Sequence, residues 1–328
     1  GGTKIAAGVV AEDGKILTRT RRRTPSRDLD AVENIVIDAI AELAERHTVT
    51  AVGVGAAGFV DKGRSKVLLA PNLGWTDANL RLKLEAATGL PCVIENDANA
   101  AAWGERRFGG GRGATDMVAV TVGTGIGGGL ILDGKLYRGA NGLAAEIGHL
   151  CVEPEGRQCG CGQKGCWEQY ASGNSLVRWA RALASENRTE AEILLELGDG
   201  TPEGVQGAHV TAAARAGDPV ALETFAITGA WLGRGMASLA AVLDPEVFVI
   251  GGGVSEAGDL LFVPTRQAFS DLLSGREQRP PILGSPGARS RRPPVGHLRD
   301  GGDGQVSAAG VAVGGRGRIG PANVLRVR

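Results

Sequence analysis

The chain has 328 residues, of which 43% are hydrophobic, so it is long and apolar enough for two domains with sizeable cores. Its 36 basic and 36 acidic residues balance, and this neutrality gives no general attraction to nucleic acid or to an anionic membrane. No apolar run approaches the roughly 20 residues of a spanning helix. No signal peptide is recognised, so we predict a cytoplasmic protein without a membrane segment.

The first part of the chain alternates strand and helix patterns, which is typical of an α/β domain. In chain order the patterns predict a glycine loop and strand over Gly2–Val10, a turn at Glu12–Lys15, a strand over Ile16–Thr20, a helix over Asp28–His47, strands over Ala51–Gly58 and Cys92–Glu95, and a helix from Asp97 to about Phe108. A glycine-rich joint at Gly109–Gly113 then indicates a domain boundary.

The opening pattern recurs after this joint. The segments GGTKIAAGVVAEDGKIL and GTGIGGGLILDGKLY both place a Gly/Thr loop before an apolar strand, a DGK turn and a returning strand, and this repetition predicts an internal duplication. The second part is predicted to contain a strand over Met117–Val122, a loop over Gly123–Gly128, strands over Gly129–Leu132 and Leu136–Tyr137, helices around Ser175–Leu183 and Pro219–Leu243, a strand over Val247–Ile250 and a loop over Gly251–Gly253.

These patterns divide the chain into three regions. Residues 1–110 and 111–275 are predicted to form the two α/β domains, and residues 276–328 a tail. After about Arg276, Arg, Pro and Gly dominate and hydrophobic periodicity stops, apart from a short stretch near Val306–Val313. We therefore expect the tail to be disordered or aberrant.

Three glycine loops, each next to a strand, are candidate phosphate-binding elements. They are Gly1–Lys4, Gly123–Gly128 and Gly251–Gly253. Backbone N–H groups that no side chain shields can hold phosphate oxygens, and a Thr hydroxyl adds a donor. A single loop of this kind is usually a tight turn, but three in a duplicated chain favour nucleotide binding. The second loop also has the spacing of a dinucleotide fingerprint, but a strand follows it where a Rossmann site needs a helix.

Asn96 and Asp97 stand at a predicted strand-to-helix junction. The ordinary interpretation of Asp at such a junction is a helix cap. The functional interpretation is a general base that accepts a proton from a substrate hydroxyl as it attacks a phosphoryl group. Ligands bind at the carboxyl ends of strands in open α/β sheets, and this location favours the functional interpretation.

A cluster of thiols is the third candidate site. Five cysteines are present, and Cys159, Cys161 and Cys166 fall within eight positions. The odd number, the absent secretion signal and the clustering favour reduced thiols and a metal over disulfides. A core role is disfavoured by the Gly and Lys between the three, and a disulfide between Cys159 and Cys161 would be strained.

With His149 these thiols complete a tetrahedral zinc set. Four protein ligands leave no open position for water, so the zinc is predicted to be structural. Glu146 and Glu168 flank the ligands in the sequence. A metal here would hold two carboxylates and an imidazole in one place, where they could bind sugar hydroxyls.

Taken together, these motifs resemble the ROK family (repressors, open reading frames and kinases). They occur in the family's order: GGTK, Asn-Asp after a strand, GTGIGGG, EIGH, CGCGQKGCWE and the late GGGV. The resemblance covers Gly1 to roughly Phe269, and CGCGQKGCWE after EIGH is highly specific. Within the family the chain is most similar to bacterial glucokinases, with the Ala, Gly and Arg usage of actinobacterial proteins.

The resemblance implies two actin-like (ribonuclease H-like) α/β domains around a deep cleft, and ATP-dependent phosphorylation of a hexose, with glucose expected first. It implies Asp97 as catalytic base, Mg²⁺ bound with ATP, structural Zn²⁺, and a homodimer or homotetramer. The sugar-binding residues that match are Gly58, Asn96, Asp97, Glu146, His149 and Glu168. The matching zinc ligands are His149, Cys159, Cys161 and Cys166. The matching ATP-binding residues are Gly2, Thr3, Lys4, Gly123, Thr124, Gly125, Gly252 and Gly253.

The chain departs from the family at both ends. The family opens with a strand and the pattern Asp-x-Gly-Gly-Thr, and that strand and Asp are absent before Gly1. It ends with a helix that the tail does not resemble. From these departures we expect the strand at Lys4–Val10 to lack a partner on one side, and the chain as given to be a poor or inactive enzyme.

Two alternatives stay open. A sugar-responsive repressor of the same family needs a helix-turn-helix domain before Gly1, whereas Thr3 and Asp97 favour a kinase. Among kinases, N-acetylmannosamine, N-acetylglucosamine or fructose could replace glucose, because the shape of the loops around the 2-position decides.

Overall fold

The computed structural model of this chain describes residues 4–25, 28–70, 74–273, 281–283, 310–314 and 323–327. The chain divides into two compact units. Unit 1 comprises Gly1–Phe108, Tyr137–Ala144 and Gly287–Arg318, and unit 2 comprises Gly109–Leu136, Ala145–Pro286 and Ile319–Arg328.

Strands and helices alternate through both units. The strands are β1 (Lys4–Val10), β2 (Ile16–Arg23), β3 (Ala51–Ala56), β4 (Phe59–Val60), β5 (Val67–Ala70), β6 (Trp75–Ala78), β7 (Cys92–Asn96), β8 (Met117–Val122), β9 (Ile126–Leu132), β10 (Lys135–Tyr137), β11 (Val247–Gly251), β12 (Pro281–Leu283), β13 (Gly310–Gly314) and β14 (Asn323–Val327). The α-helices are α1 (Leu29–Ala44), α2 (Leu80–Thr88), α3 (Asp97–Phe108), α4 (Glu168–Ala171), α5 (Gly173–Glu186), α6 (Glu192–Leu197), α7 (Gly207–Arg215), α8 (Pro219–Leu243) and α9 (Asp259–Leu272). Short 3-10 helices cover Ile147–His149, Pro202–Gly204 and Gly253–Ala257.

Unit 1 is built on a five-stranded sheet in the order β2-β1-β13-β3-β7, and a second sheet contains β4, β5 and β6. Helix α1 begins where the side chain of Asp28 accepts a hydrogen bond from the N–H of Ala31 at 2.9 Å. The apolar face of α1 packs into one core with strands β1 and β3, and each fully buried aliphatic side chain there stabilises the fold by about 1.5–3 kcal/mol. This core includes Val9, Val32, Val36, Ile40 and Val54.

One expectation for the start of the chain is wrong. β1 is paired on both sides, antiparallel with β2 and antiparallel with β13, so it is not the unpaired strand that the sequence predicts. Of the tail, the described residues 281–283, 310–314 and 323–327 form β12, β13 and β14, and the expectation for the tail as a whole stays a prediction. A strand whose backbone groups would otherwise lack partners is a template for another strand, and residues 310–314 fill this place between β1 and β3.

Unit 2 contains a six-stranded sheet in the order β10-β9-β8-β11-β14-β12, and its centre has the same arrangement as that of unit 1. In unit 2 the central strand β8 pairs antiparallel with β9 and parallel with β11. In unit 1 the central strand β13 pairs antiparallel with β1 and parallel with β3. β1 and β9 each lead into a hairpin with a DGK turn, so the repeated sequence pattern occupies equivalent places in the two sheets.

Helix α8 is the longest helix of the described residues and lies at the centre of the core of unit 2. Within the described part of the chain, it is also the one helix whose length and apolar composition would suit a membrane span. A buried core helix meets the same criteria, and residues such as Phe225, Leu232 and Met236 of α8 are buried in the core of unit 2.

Trp167 packs directly on α8. Its ring is fully buried, and its Nε1–H donates a hydrogen bond to the carbonyl oxygen of Trp231 at 2.8 Å, which satisfies the polar atom of the indole. A Cβ at Gly235 would overlap the Trp167 ring. The absence of a side chain at Gly235 therefore allows the ring to contact the helix.

We expect Gly235→Ala to destabilise the protein by about 1–3 kcal/mol, because the added methyl group overpacks the core against a rigid ring. Gly104→Ala in α3 is the control, since a Cβ at Gly104 meets no atom within 4 Å. This control should stabilise the protein by about 0.5–1 kcal/mol through helix propensity. Urea unfolding of the two variants measures both values, and a Gly235→Ala protein as stable as the parent would contradict the packing.

Candidate functional site

In unit 1 the candidate catalytic pair lies where β7 runs into α3. Asn96 is the last residue of β7 and Asp97 is the first of α3. The side-chain oxygen of Asn96 accepts hydrogen bonds from the N–H groups of Ala98 at 2.9 Å and Asn99 at 3.0 Å. Its Nδ2 donates to the carbonyl oxygen of Gly58 at 3.1 Å. The structure thus brings together Gly58, Asn96 and Asp97, and it makes Asn96 the cap of the helix.

Asp97 is half-buried, and burial raises the pKa of its carboxyl group above the ordinary 3.8. A hydrogen bond from the N–H of Ala98, at 2.9 Å, favours the ionised form but does not outweigh burial. Asn96 caps the helix, so the Asp97 carboxylate is not required as the cap and can serve as a proton acceptor. A carboxylate with a raised pKa is a better proton acceptor than an ordinary Asp.

Sequence reasoning missed three side chains around this junction. Glu95 and Asn99 flank the Asn-Asp pair, and Arg138 reaches Glu95 across 43 positions of the chain. The only sequence signal for the first two was their polar character at a strand end. Arg138 had no signal, because nothing local relates it to β7.

In unit 2 the side chains of four residues converge. One donor atom from each of His149, Cys159, Cys161 and Cys166 lies within 4.8 Å of every other. Cys159 Sγ is 3.7 Å from His149 Nδ1, and Cys161 Sγ is 3.6 Å from Cys166 Sγ. Cys151 is exposed and is not part of this Cys/His group.

The Cys/His group has the chemistry and spacing of a zinc site. A tetrahedral ion with bonds of about 2.3 Å to sulfur and about 2.0 Å to nitrogen separates its ligand atoms by roughly 3.5–3.8 Å. The distance of 3.6 Å between the sulfur atoms of Cys161 and Cys166 lies in this range, and so does the distance of 3.7 Å between Cys159 Sγ and His149 Nδ1. The group could therefore hold zinc, and with four protein ligands such an ion would be structural.

Glu168 connects the Cys/His group to the second glycine loop. It is the first residue of α4, and its Oε1 lies 3.2 Å from Cys159 Sγ. Its Oε2 faces Gly125 so closely that a Cβ at that position would lie 2.5 Å from the oxygen. A side chain at position 125 would therefore require the Glu168 carboxylate to move.

Glu146 and His149 belong to one short turn. The carbonyl oxygen of Glu146 accepts a hydrogen bond from the N–H of His149 at 3.0 Å, which closes the 3-10 helix Ile147–His149. His149 and Glu168 both lie beside Cys159, and Glu146 is carried by the same turn as His149. The three predicted sugar-binding residues of unit 2 are thus held by adjacent elements.

Two of the three predicted phosphate loops come together in unit 2. They follow β8 and β11, which are parallel neighbours, so both loops leave the same edge of the sheet. Gly252 has a φ of +93°, and a side chain there would collide with the backbone of Val122 at the end of β8. The carbonyl oxygen of Gly123 accepts a hydrogen bond from the N–H of Gly173 at 2.7 Å, at the start of α5. A helix N-terminus beside glycine loops favours anions.

The predicted boundaries of these loops need correction. The loop predicted over residues 123–128 ends earlier, because Ile126 pairs with Val122 and begins β9. Of the first loop, Gly2 and Thr3 lie outside the described residues. Lys4 is an exposed residue at the start of β1 in unit 1.

Comparison with known proteins agrees with the motifs. The ROK family matches residues 1–298 of the chain. The chain belongs to the ROK family. Glucokinase of Streptomyces coelicolor is 50% identical over 284 residues, which are 85% of this chain and 88% of that protein. N-acetylmannosamine kinase of Yersinia pseudotuberculosis is 36% identical over 258 residues, which are 78% of this chain and 82% of that protein.

A solved structure gives the fold of this ROK protein. The ROK family glucokinase of Streptomyces griseus, in complex with glucose and AMPPNP, has 51% sequence identity and a TM-score of 0.78, over 85% of this chain and 89% of that one. The chain therefore has the α/β actin-like fold of ROK sugar kinases. The resemblance predicted from GTGIGGG, EIGH and CGCGQKGCWE is confirmed.

We expect Asp97→Asn to raise stability at neutral pH. A carboxyl group with a higher pKa in the folded than in the unfolded state binds its proton more tightly when folded, so the ionised form costs stability above the folded pKa. Asn removes this cost. The gain in Tm should be greatest at neutral pH, should shrink as pH falls through the raised pKa of Asp97, and should vanish below 3.8. Thermal unfolding across this pH range measures it.

Asp61 is the control of opposite sign. Burial acts to raise its pKa, but hydrogen bonds from the N–H groups of Lys66, Ser65 and Gly63 outweigh burial and lower the pKa below 3.8. Asp61→Asn should therefore lower Tm most at neutral pH, with a loss that shrinks as pH falls through the folded pKa. An equal loss of Tm in both variants would contradict the raised pKa of Asp97.

Proposed function

We propose that this ROK protein is a glucokinase that transfers the γ-phosphoryl group of ATP to the 6-hydroxyl of glucose. The observation that carries this proposal is its 51% identity to a ROK glucokinase solved with glucose and AMPPNP. The candidate residues supply what the reaction needs: a base, groups that bind sugar hydroxyls, and glycine loops for phosphates.

Asp97 is the proposed general base. It accepts the proton of the 6-hydroxyl while that oxygen attacks the γ-phosphorus, the bond to the β-phosphate oxygen breaks, and ADP leaves. The raised pKa of Asp97 supports this role, because a stronger base takes the hydroxyl proton more readily. The hydrogen bonds that Asn96 makes at the start of α3 support the position of Asp97, since they anchor the first turn of the helix.

The hexose is assigned to the polar residues that match the sugar-binding positions of the family. We assign hydrogen bonds with its hydroxyls to Gly58, Asn96, Asp97, Glu146, His149 and Glu168. Carboxylate oxygens accept from hydroxyl donors, and the Asn96 amide can both donate and accept. A site built to pair many hydroxyls discriminates strongly against an analogue that lacks one, because the buried polar groups are then left without partners.

ATP phosphates are assigned to the glycine loops. Gly123, Thr124, Gly125, Gly252 and Gly253 stand at one sheet edge beside the N-terminus of α5, and this position supports an anion site. Gly2, Thr3 and Lys4 are assigned to the same nucleotide from the family motif. Mg²⁺ bound with ATP would neutralise charge on the phosphoryl oxygens.

We assign structural Zn²⁺ to the Cys/His group. Bound zinc supplies a rigid cross-link between the turn that carries Glu146 and His149 and the loop that precedes Glu168. The contacts of Glu168 with Cys159 and Gly125 then make its position depend on that cross-link.

The family resemblance completes the proposal. It favours a cytoplasmic enzyme that supplies glucose 6-phosphate to glycolysis and works as a homodimer or homotetramer. The matching strand arrangement at the centres of the two sheets supports a duplicated actin-like (ribonuclease H-like) fold.

An ADP-release assay on the whole chain with a panel of sugars tests the function. Glucose should give the highest kcat/KM among glucose, N-acetylmannosamine, N-acetylglucosamine and fructose. The 36% identity to an N-acetylmannosamine kinase makes N-acetylmannosamine the main alternative substrate. A higher kcat/KM for N-acetylmannosamine than for glucose would show that glucose is not the preferred substrate. Sugar binding without turnover of any sugar would favour the repressor alternative.

Asp97→Asn should reduce kcat by about 10²–10⁴-fold while glucose still binds, because the amide keeps the size of the side chain but cannot take the proton. Asp30→Asn is the matched control, since Asp30 is also an acidic residue in the first turn of a helix of unit 1 and is exposed. The control should keep its activity. Retention of more than about a tenth of the activity by Asp97→Asn would remove Asp97 from the role of base.

Purified protein should contain about one zinc ion per chain. Cys161→Ser removes one thiolate, so it should lower the zinc content, the Tm and the affinity for glucose together. Cys151→Ser is the matched control, because Cys151 is also exposed but stands outside the Cys/His group. Elemental analysis measures the zinc content of both variants, and glucose titration measures their affinity for the sugar. A zinc-free protein with full affinity for glucose would refute the assignment.

A further inference from the structure

Glu95 makes a dense set of hydrogen bonds at the junction of β7 and α3. Its Oε1 accepts hydrogen bonds from the N–H of Asn96 at 3.1 Å and from Nδ2 of Asn99 at 3.3 Å. Its Oε2 accepts from Nε of Arg138 at 2.7 Å. The side chain of Glu95 is 15% exposed and that of Arg138 is 26% exposed, so this ion pair is largely shielded from water.

Arg138 belongs to a segment that returns to unit 1 after three strands of unit 2. Tyr137–Ala144 packs with unit 1, although the chain on both sides of it belongs to unit 2. The N–H of Ala144 donates a hydrogen bond to the carbonyl oxygen of Arg138 at 3.1 Å, which closes the segment into a loop. A Cβ at Gly142 would lie 2.8 Å from the backbone of Lys62, so this loop is seated against unit 1.

We propose that the Arg138–Glu95 ion pair is a positioning device for Asn96 and Asp97 in phosphoryl transfer. Neither residue of the pair is assigned a contact with substrate. Arg138 orients Glu95, and Glu95 accepts hydrogen bonds from the N–H of Asn96 and from the side chain of Asn99. Asn96 precedes Asp97 in the sequence and Asn99 follows it, so both sides of Asp97 are fixed. This inference rests on the proposed glucokinase activity.

The geometry favours positioning over simple stabilisation. The start of α3 is already capped by Asn96, so Glu95 is not needed as a cap. Asn99 is only 2% exposed, and its Nδ2 donates to Glu95. The ion pair therefore sets the orientation of the first turn of α3. A base misplaced by about 1 Å can lose roughly 10²-fold in rate, so a small rotation of this turn suffices to affect kcat.

Removal of Arg138 leaves a shielded carboxylate without its counter-charge. Glu95 should then turn toward water and release the N–H of Asn96. We assign the ATP phosphates to the glycine loops and not to this ion pair. We therefore expect kcat per folded molecule to fall and the KM for ATP to stay constant. Because a smaller folded fraction also lowers the apparent kcat, the folded fraction of each variant is measured by circular dichroism at the assay temperature.

The test compares Arg138→Met, Arg138→Lys, Glu95→Gln and the double variant Arg138→Met/Glu95→Gln in the whole chain. Arg138→Met and Glu95→Gln should each lower kcat by about tenfold or more, with the KM for ATP within about twofold. Arg138→Lys restores the charge but not the planar guanidinium, so it should recover part of the loss. The double variant should lose no more than the worse single variant, because the two residues act as one unit.

Arg81→Met is the matched control. Arg81 Nε also donates to a glutamate of unit 1, Glu85, at 3.0 Å, on the separate helix α2. It should leave kcat unchanged. Unchanged kcat in Arg138→Met, an equal loss in Arg81→Met, or additive losses in the double variant would overturn the proposal.

Amide hydrogen exchange of residues 96–99 gives a reading that does not need activity. Arg138→Met should speed exchange of the Asn96 amide by about tenfold or more, and Arg81→Met should not. If the parent chain phosphorylates no sugar, the proposed function fails, while exchange still decides whether Arg138 orders the junction. If the parent is active and exchange and kcat are unaffected, the positioning role alone fails.

Discussion

Parallel pairing of neighbouring strands is the constraint on which both parts of the candidate site depend. β3 runs parallel to β7 in unit 1, and β8 runs parallel to β11 in unit 2. Parallel strands end at the same sheet edge, so the segments that follow them are neighbours whatever their separation in the sequence. This is why Asn96 can donate to the carbonyl oxygen of Gly58, and why Gly252 lies against Val122.

Side chains then join the elements that the sheets bring near one another. Glu168 contacts Cys159 through one oxygen and faces Gly125 with the other, so it lies between the Cys/His group and the glycine loop. Glu95 has the same kind of role in unit 1, where its two oxygens link β7, the first turn of α3 and Arg138. In each unit a glutamate lies between a candidate binding residue and a segment that is distant in the sequence.

Local pattern was enough for much of the fold. Helix α8 has the predicted bounds, Pro219–Leu243. Its apolar spacing, the Pro at its start and the strand that follows it are all local features of the sequence, so they could be recognised without knowledge of the fold. Strand β8 also has its predicted bounds, Met117–Val122. The ROK motifs identified the family for a similar reason, since each motif is a short run of adjacent residues.

The sequence by itself therefore determined the family, the main helices and strands, and the residue types of the Cys/His group and of the Asn-Asp junction. Only the tertiary structure decided that residues 310–314 pair with β1, that β9 begins at Ile126, that Asn96 caps α3, and that Arg138 reaches Glu95. These features depend on strand pairing and on hydrogen bonds, and the tertiary packing determines which residues become partners. A periodic pattern records which face of an element is buried, but it does not record which distant segment covers that face or completes its sheet.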